Sequence, residues 1–171
     1  LLVDVGLSNR SINRKISALN SFYKFLVKTG TLKTSPLAKH KALKVQKKIH
    51  IPFSEKEVTA VLSTKRDDSF EAIRNLLILE LLYSTGMRRA ELINLKISDV
   101  DFHQQQLKVL GKRNKERFIP LLNTVRESLK AYINLRNQLV NIQDSDILFL
   151  TKKGAKMYGT LVYRIVKNYF E

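Results

Sequence analysis

Ser84-Thr85-Gly86-Met87-Arg88-Arg89-Ala90-Glu91-Leu92 is the stretch from which the rest of the chain can be organised. Its glycine follows a dense apolar run, Leu76 to Leu82, broken only by Glu80, and suits the end of a helix. Upstream, Ser69 is placed to cap that helix. Phe70, Ile73, Leu76, Leu77, Leu79, Leu81 and Leu82 then crowd its circumference, so most of it should be buried. This is the expected central helix of a domain. Beyond the stop, Ala90, Leu92, Ile93 and Leu95 mark a brief second helix with Arg88 at its start. A guanidinium is disfavoured there by the macrodipole, and a bound phosphate would remove that cost.

Working downstream, Asp99 to Phe102, Gln106 to Leu110 and Phe118 to Leu121 read as strands of a small antiparallel sheet. The last two flank Gly111-Lys112-Arg113-Asn114-Lys115-Glu116-Arg117, a turn with too many charges to be buried without a partner. Residues 123–140 form an amphipathic helix, Ile147 to Leu150 a short apolar strand, and Tyr158 to Phe170 a final helix with Leu161, Ile165 and Tyr169 on one face. The spacing of Tyr158, Tyr163 and Tyr169 with those apolar residues makes them packing or amphipathic-surface residues.

Working upstream, Ser54-Glu55-Lys56-Glu57 is a capping-box pattern that opens a short helix. Before it, residues 31–53 hold Pro36, Pro52 and six lysines with no acid, the composition of a basic linker. Earlier still, Ser8 can cap a helix ending near Gly30. Its apolar stripe, Ile12, Ile16, Leu19, Phe22, Phe25 and Leu26, reads as a core face. Arg10, Arg14 and Lys15 fall mostly off that stripe, where they meet either solvent or phosphates.

Charge supports a division near Phe53. Residues 1–53 carry 11 basic side chains and one acid, whereas residues 54–171 carry 20 and 14. The whole chain has a formal net charge of +16, which favours a polyanionic partner, nucleic acid before membrane, through long-range attraction and counterion release. With no cysteine, disulfides, thiolate metal sites and cysteine nucleophiles are excluded, and a reducing cytoplasm fits. No apolar run is long enough to cross a bilayer, and the first residues, Leu1 to Arg10, lack the pattern of a signal peptide.

The Thr85-Gly86-Met87-Arg88 string, with Glu91 three positions on and Leu92 after it, resembles the first arginine motif of the tyrosine-type site-specific recombinases, the phage integrase family. About 24 residues later, Gly111-Lys112 with Asn114-Lys115-Glu116-Arg117 and Pro120-Leu121 is similar to the lysine hairpin of the Xer-like branch. Asp99-Val100-Asp101 between them also fits, and Ser17 to Leu26 looks like the end of the family's helical core-binding domain. Arg113 stands where the family commonly has glycine, a departure that stiffens the turn.

The resemblance implies a mainly α architecture with a small antiparallel sheet. Residues 1–35 would end a core-binding domain, 36–53 would link, and 54–171 would begin a catalytic domain, the two parts clamping duplex DNA. It implies that Arg88 contacts the scissile phosphate, that Lys112 protonates the departing 5′ oxygen, and that Glu91 supports the site without reacting. Arg89 and Lys115 are the nearest rivals for the first two roles. DNA contacts are expected at Arg10, Arg14, Lys15, Lys44, Lys47, Lys48, Arg113, Lys115 and Arg117. The resemblance implies no metal or nucleotide cofactor, and a tetramer on paired DNA sites in a bacterial cytoplasm, at the nucleoid.

The family also uses a His-x-x-Arg motif and a nucleophilic tyrosine beyond the last helix found here. His40, His50 and His103 have no arginine three residues on. The chain is therefore expected to be a portion of a longer recombinase that binds DNA without cutting it. The other classes open on sequence are a non-catalytic DNA-binding protein of the same descent and a basic RNA-binding or ribosome-associated protein.

Overall fold

The structure, a computed structural model, describes residues 6–46, 52–63 and 67–170. The chain separates into two compact units, Leu1–Pro52 and Phe53–Glu171.

The first unit is built on α1, Asn9–Lys28, which starts where Ser8 Oγ accepts the Ser11 N–H at 3.3 Å. It stops at Thr29 and Gly30, the latter at φ +76°. Residues 41–46 run back along this helix because the Asn13 side chain both donates to the Leu43 carbonyl (2.8 Å) and accepts its N–H (2.9 Å). Asn9 adds a bond to the Lys44 carbonyl. The stripe read as a core face is only partly one. Ile12 is buried, but Leu19, Phe22 and Phe25 are 46%, 54% and 60% exposed. Amphipathic spacing assigns a helix and a face, and burial needs a covering element as well.

The second unit opens with α2, Glu55–Ser63, whose N-terminus is the expected reciprocal box: Glu57 Oε2 accepts the Ser54 N–H at 2.7 Å and Ser54 Oγ accepts the Glu57 N–H at 3.3 Å. Helix α3, Phe70–Thr85, is capped by Ser69 and carries the buried Leu77, Ile78, Leu79 and Leu81. It packs against α5, Asn123–Asn137, which buries Val125, Leu129 and Tyr132. A four-residue helix, α4 (Arg89–Leu92), and a 3₁₀ turn at Ile97–Asp99 lead into the sheet.

That sheet has three antiparallel strands in the order β1-β2-β3: Val100–Asp101, Gln106–Leu110 and Glu116–Pro120. Leu107 and Val109 point into the core, while Lys108 and Leu110 face outward in β2. Strand β3 begins two residues earlier than its apolar pattern indicates, because Leu110 pairs with Glu116 and Val109 with Arg117. The ladder is made by backbone groups, so exposed charged residues extend it at no loss. At its other end, β1 is shorter than expected. Asp101 instead turns the chain by accepting the N–H groups of His103 (2.9 Å) and Gln104 (2.8 Å).

Ile147 to Leu150 is not a strand of the sheet. Isolated bridges link Ile147 to Lys96 and Leu150 to Lys156. Side chains satisfy the remaining polar backbone. Buried Tyr132 donates its hydroxyl to the Leu148 carbonyl and accepts the Leu150 N–H, at 3.0 and 3.1 Å. Buried Arg136 donates to the carbonyls of Ser145 (2.7 Å) and Ile147 (2.8 Å). Helix α6, Gly159–Phe170, closes the core with Val162 and Ile165, with Tyr169 packed at its edge and Tyr158 and Tyr163 exposed. No helix among the described residues is long and apolar enough to cross a membrane.

Candidate functional site

Six residues of the Thr85–Leu92 segment build the turn. Thr85 Oγ1 donates to the Leu81 carbonyl and accepts the Met87 N–H at 3.2 Å, tying the end of α3 to the turn. Gly86 takes φ +60°, ψ +20°, a conformation in which a Cβ is disfavoured, and thereby reverses the chain. Met87 and Leu92 then enter the core, so the intervening Arg88 must point outward. Its side chain is 70% exposed.

Glu91 turns inward instead, with a side chain only 6% exposed. Its Oε2 accepts the Arg88 N–H at 2.8 Å and its Oε1 accepts Arg88 Nη1 at 3.0 Å. Arg117, from β3, reaches the same carboxylate with Nη1 on Oε1 (3.1 Å) and Nη2 on Oε2 (2.8 Å). These bonds, the one from Arg117 foremost, hold the carboxyl down at about 2 against the opposing effect of burial. Glu91 is therefore an anion at neutral pH. It offsets the cost of placing Arg88 at a helix start even when no phosphate is bound, which the linear sequence leaves to the ligand.

The hairpin meets this cluster from the other side. Gly111 N–H donates to the Lys115 carbonyl at 2.8 Å, closing the turn, and Lys112, Arg113, Asn114 and Lys115 are all exposed. Arg88, Glu91, Asn94, Leu110, Gly111 and Lys112 line one groove. Residues 24 positions apart in sequence, Arg88 and Lys112, thus share a depression whose floor includes a carboxylate committed to arginines. Such a groove can hold a phosphate between an outward guanidinium and an ammonium.

Two further residues belong to the neighbourhood and have no motif to announce them. Lys156 Nζ donates to Asn94 Oδ1 at 2.6 Å, and both line an adjoining groove that includes Glu91, Lys108 and Gly111. Lys156 lies 62 residues from its partner, so only its charge was visible in sequence.

In the first unit, Arg10, Arg14, Lys15 and Lys44 are exposed, and Arg10 and Lys44 line one groove with Ser8 and Asn9. Lys47 and Lys48 lie outside the described residues. Arg113 and Lys115 stand at the hairpin tip. Among the described residues no cluster of three or more His, Asp or Glu is arranged to hold a metal ion.

Comparison with known proteins shows the family. Residues 52–171 match the model of the phage integrase family. Tyrosine recombinase XerC of Staphylococcus carnosus is 38% identical over 163 residues, which cover 91% of this chain and 54% of that protein. Tyrosine recombinase XerD of Staphylococcus haemolyticus is 38% identical over 169 residues, 98% of this chain and 57% of its own. The chain thus spans little more than half the length of these relatives. Among solved structures, the XerA recombinase is similar with a TM-score of 0.61 at 25% identity, covering 98% of this chain and 56% of that one. The XerH site-specific recombinase in a post-cleavage complex with its palindromic difH substrate shares the fold, with a TM-score of 0.74 at 22% identity over 96% of this chain and 50% of that one. The chain belongs to the phage integrase family, on its Xer-like branch.

Proposed function

We propose that this chain is the part of a DNA strand-exchange enzyme that grips the scissile phosphate of duplex DNA, with Arg88 and Lys112 as its catalytic cations. The observation that carries the reading is their presence on one groove, with buried Glu91 bonded to both Arg88 and Arg117 beside it.

In the full-length enzyme a tyrosine hydroxyl oxygen attacks phosphorus, the bond from phosphorus to the 5′ oxygen breaks, and the enzyme is left joined to the 3′ phosphate. The bond energy is kept in that link, so rejoining needs no nucleotide cofactor. Arg88 faces the charge that builds on the non-bridging oxygens, and Glu91 holds its guanidinium in place beforehand. Lys112 gives its proton to the departing 5′ oxygen. Arg10, Arg14, Lys15, Lys44, Arg113 and Lys115 contact the phosphate backbone, and residues 36–53 act as a basic linker that a phosphate backbone neutralises. The named relatives and solved recombinases support a bacterial setting and DNA as partner. We place the enzyme in the cytoplasm, at the nucleoid, as a tetramer on paired sites.

A nicked duplex whose cleaved end diffuses away tests this reading. Full-length protein carrying this chain should give a covalent adduct that survives denaturation. The 171-residue chain alone should shift the duplex in a salt-dependent way without forming one. Absence of adduct with the full-length protein, or preference for structured RNA over duplex DNA in competition, would overturn it.

A further inference from the structure

Arg117 belongs to a strand that alternates outward and partly buried residues, and by charge alone it looks like one more contact for DNA. Its guanidinium is directed elsewhere. Both terminal nitrogens bond the two oxygens of Glu91, at 3.1 and 2.8 Å, in the two-point geometry that a guanidinium fork matches and an ammonium does not. Arg117 is 39% exposed and its partner 6%. Because Glu91 also holds Arg88, one carboxylate ties the arginine turn to a strand 26 residues away.

Gly111 supplies an independent observation. Its backbone, φ −94° and ψ −166°, is one that any residue adopts, so the glycine is not required by conformation. Space at this position is tight. A Cβ there would lie 3.1 Å from Arg117 Nη1, 3.3 Å from the Lys115 carbonyl oxygen and 3.5 Å from Glu91 Oε1. The Arg117 guanidinium passes directly over the residue from which the Lys112 hairpin springs.

We propose that Arg117 is a positioning residue for Lys112: gripping Glu91 across the Gly111 backbone, it fixes the base of the hairpin relative to Arg88, so that the lysine reaches the departing 5′ oxygen. This rests on the reading of Lys112 as the proton donor, and it replaces the expectation that Arg117 contacts DNA.

Replacing the scissile 5′ oxygen by sulfur separates the possibilities. A thiol ionises near about 8.5, far below an alcohol, so a thiolate leaves phosphorus without a proton and a misplaced acid no longer matters. Arg117→Lys and Arg117→Gln in the full-length protein should cleave ordinary duplex roughly 10- to 100-fold more slowly. Their DNA affinity should stay close to that of the parent, while the melting midpoint should fall, more for Arg117→Gln, which leaves the buried Glu91 carboxylate with one partner fewer. On the sulfur substrate both should recover most of the lost rate, as Lys112→Ala should, whereas Arg88→Ala should not.

Recovery by Lys112→Ala without recovery by either Arg117 variant would overturn the positioning role and leave the assignment of Lys112 intact. No recovery by Lys112→Ala would overturn that assignment and the inference with it. A fall of about one in the salt slope of binding for Arg117→Gln, with no sulfur rescue, would make Arg117 a phosphate contact instead. If Arg117→Gln does not fold, Arg117→Lys, which keeps the charge and loses the fork, decides.

Discussion

From Thr85 to Leu92, Met87, Glu91 and Leu92 are buried and Glu91 is bonded to two arginines, while Arg88, Arg89 and Ala90 are exposed. From Lys112 to Lys115, by contrast, four consecutive side chains are exposed on a turn that the Gly111–Lys115 backbone hydrogen bond closes. Both segments present cations to the same groove. The difference suits the proposed tasks: stabilising charge on a phosphate rewards a donor fixed in advance, whereas delivering a proton rewards a side chain on a projecting arm. Glu91 and Arg117 are where the fixed segment takes hold of the exposed one.

The comparison breaks most visibly at Arg88. Arg88→Ala in the full-length protein is expected to slow formation of the covalent adduct by about 10²- to 10³-fold, while most DNA affinity remains in a mobility-shift titration. An equal loss of both would make Arg88 a general binding residue. Next in size, Leu92→Ala should lower unfolding free energy by about 2–5 kcal/mol, because it opens a cavity under the fixed turn. Leu110→Ala, at the exposed base of the hairpin, should stay within about 0.5 kcal/mol. Urea unfolding monitored by circular dichroism compares them, and equal effects would erase the distinction between anchored and projecting segments.

Acid sharpens the role of the shared carboxylate. Its folded value is depressed to about 2 from an ordinary 4.5, so its contribution to stability is complete above the ordinary value and is lost as pH falls toward the folded one. The melting-temperature gap between the parent and Glu91→Gln should therefore narrow between about pH 6 and about pH 3. A gap that stays constant would show that the charge of Glu91 adds nothing to its packing.

The smallest effect is expected at the hairpin tip, where Arg113 sits at φ +63° and Asn114 at φ +56°, in the left-handed region. Arg113→Gly should relieve strain there and raise stability by up to about 1 kcal/mol, read as a small upward shift in midpoint. A loss of stability would mean that the arginine side chain holds the turn.

Much of the frame is legible in the chain. The caps at Ser8, Ser54 and Ser69 and the stop at Gly86 are local, since a side chain within three residues or one glycine dihedral settles each. Arg88 and Lys112 are legible through motif. Less was visible where partners are distant. Arg74 and Arg136 look like surface cations, yet both are buried and donate to backbone carbonyls, those of Leu150 and Ile147 among them. The apolar stripe of α1 is legible as a stripe, while Leu19, Phe22 and Phe25 show that a stripe does not supply its own cover.

By itself, then, the sequence determined where most of the helices start and stop, where the sheet lies, and which two cations are proposed for a phosphate site. Short-range hydrogen bonds, dihedral limits and side-chain periodicity act between near neighbours and leave their trace in composition and spacing. The tertiary structure alone decided that Glu91 faces inward, that Arg117 grips it, and that this guanidinium passes close to Gly111. A buried carboxylate and a charge on a strand 26 residues later carry no mutual signal until the sheet brings them within 3.1 Å. Only there does losing water make each depend on the other.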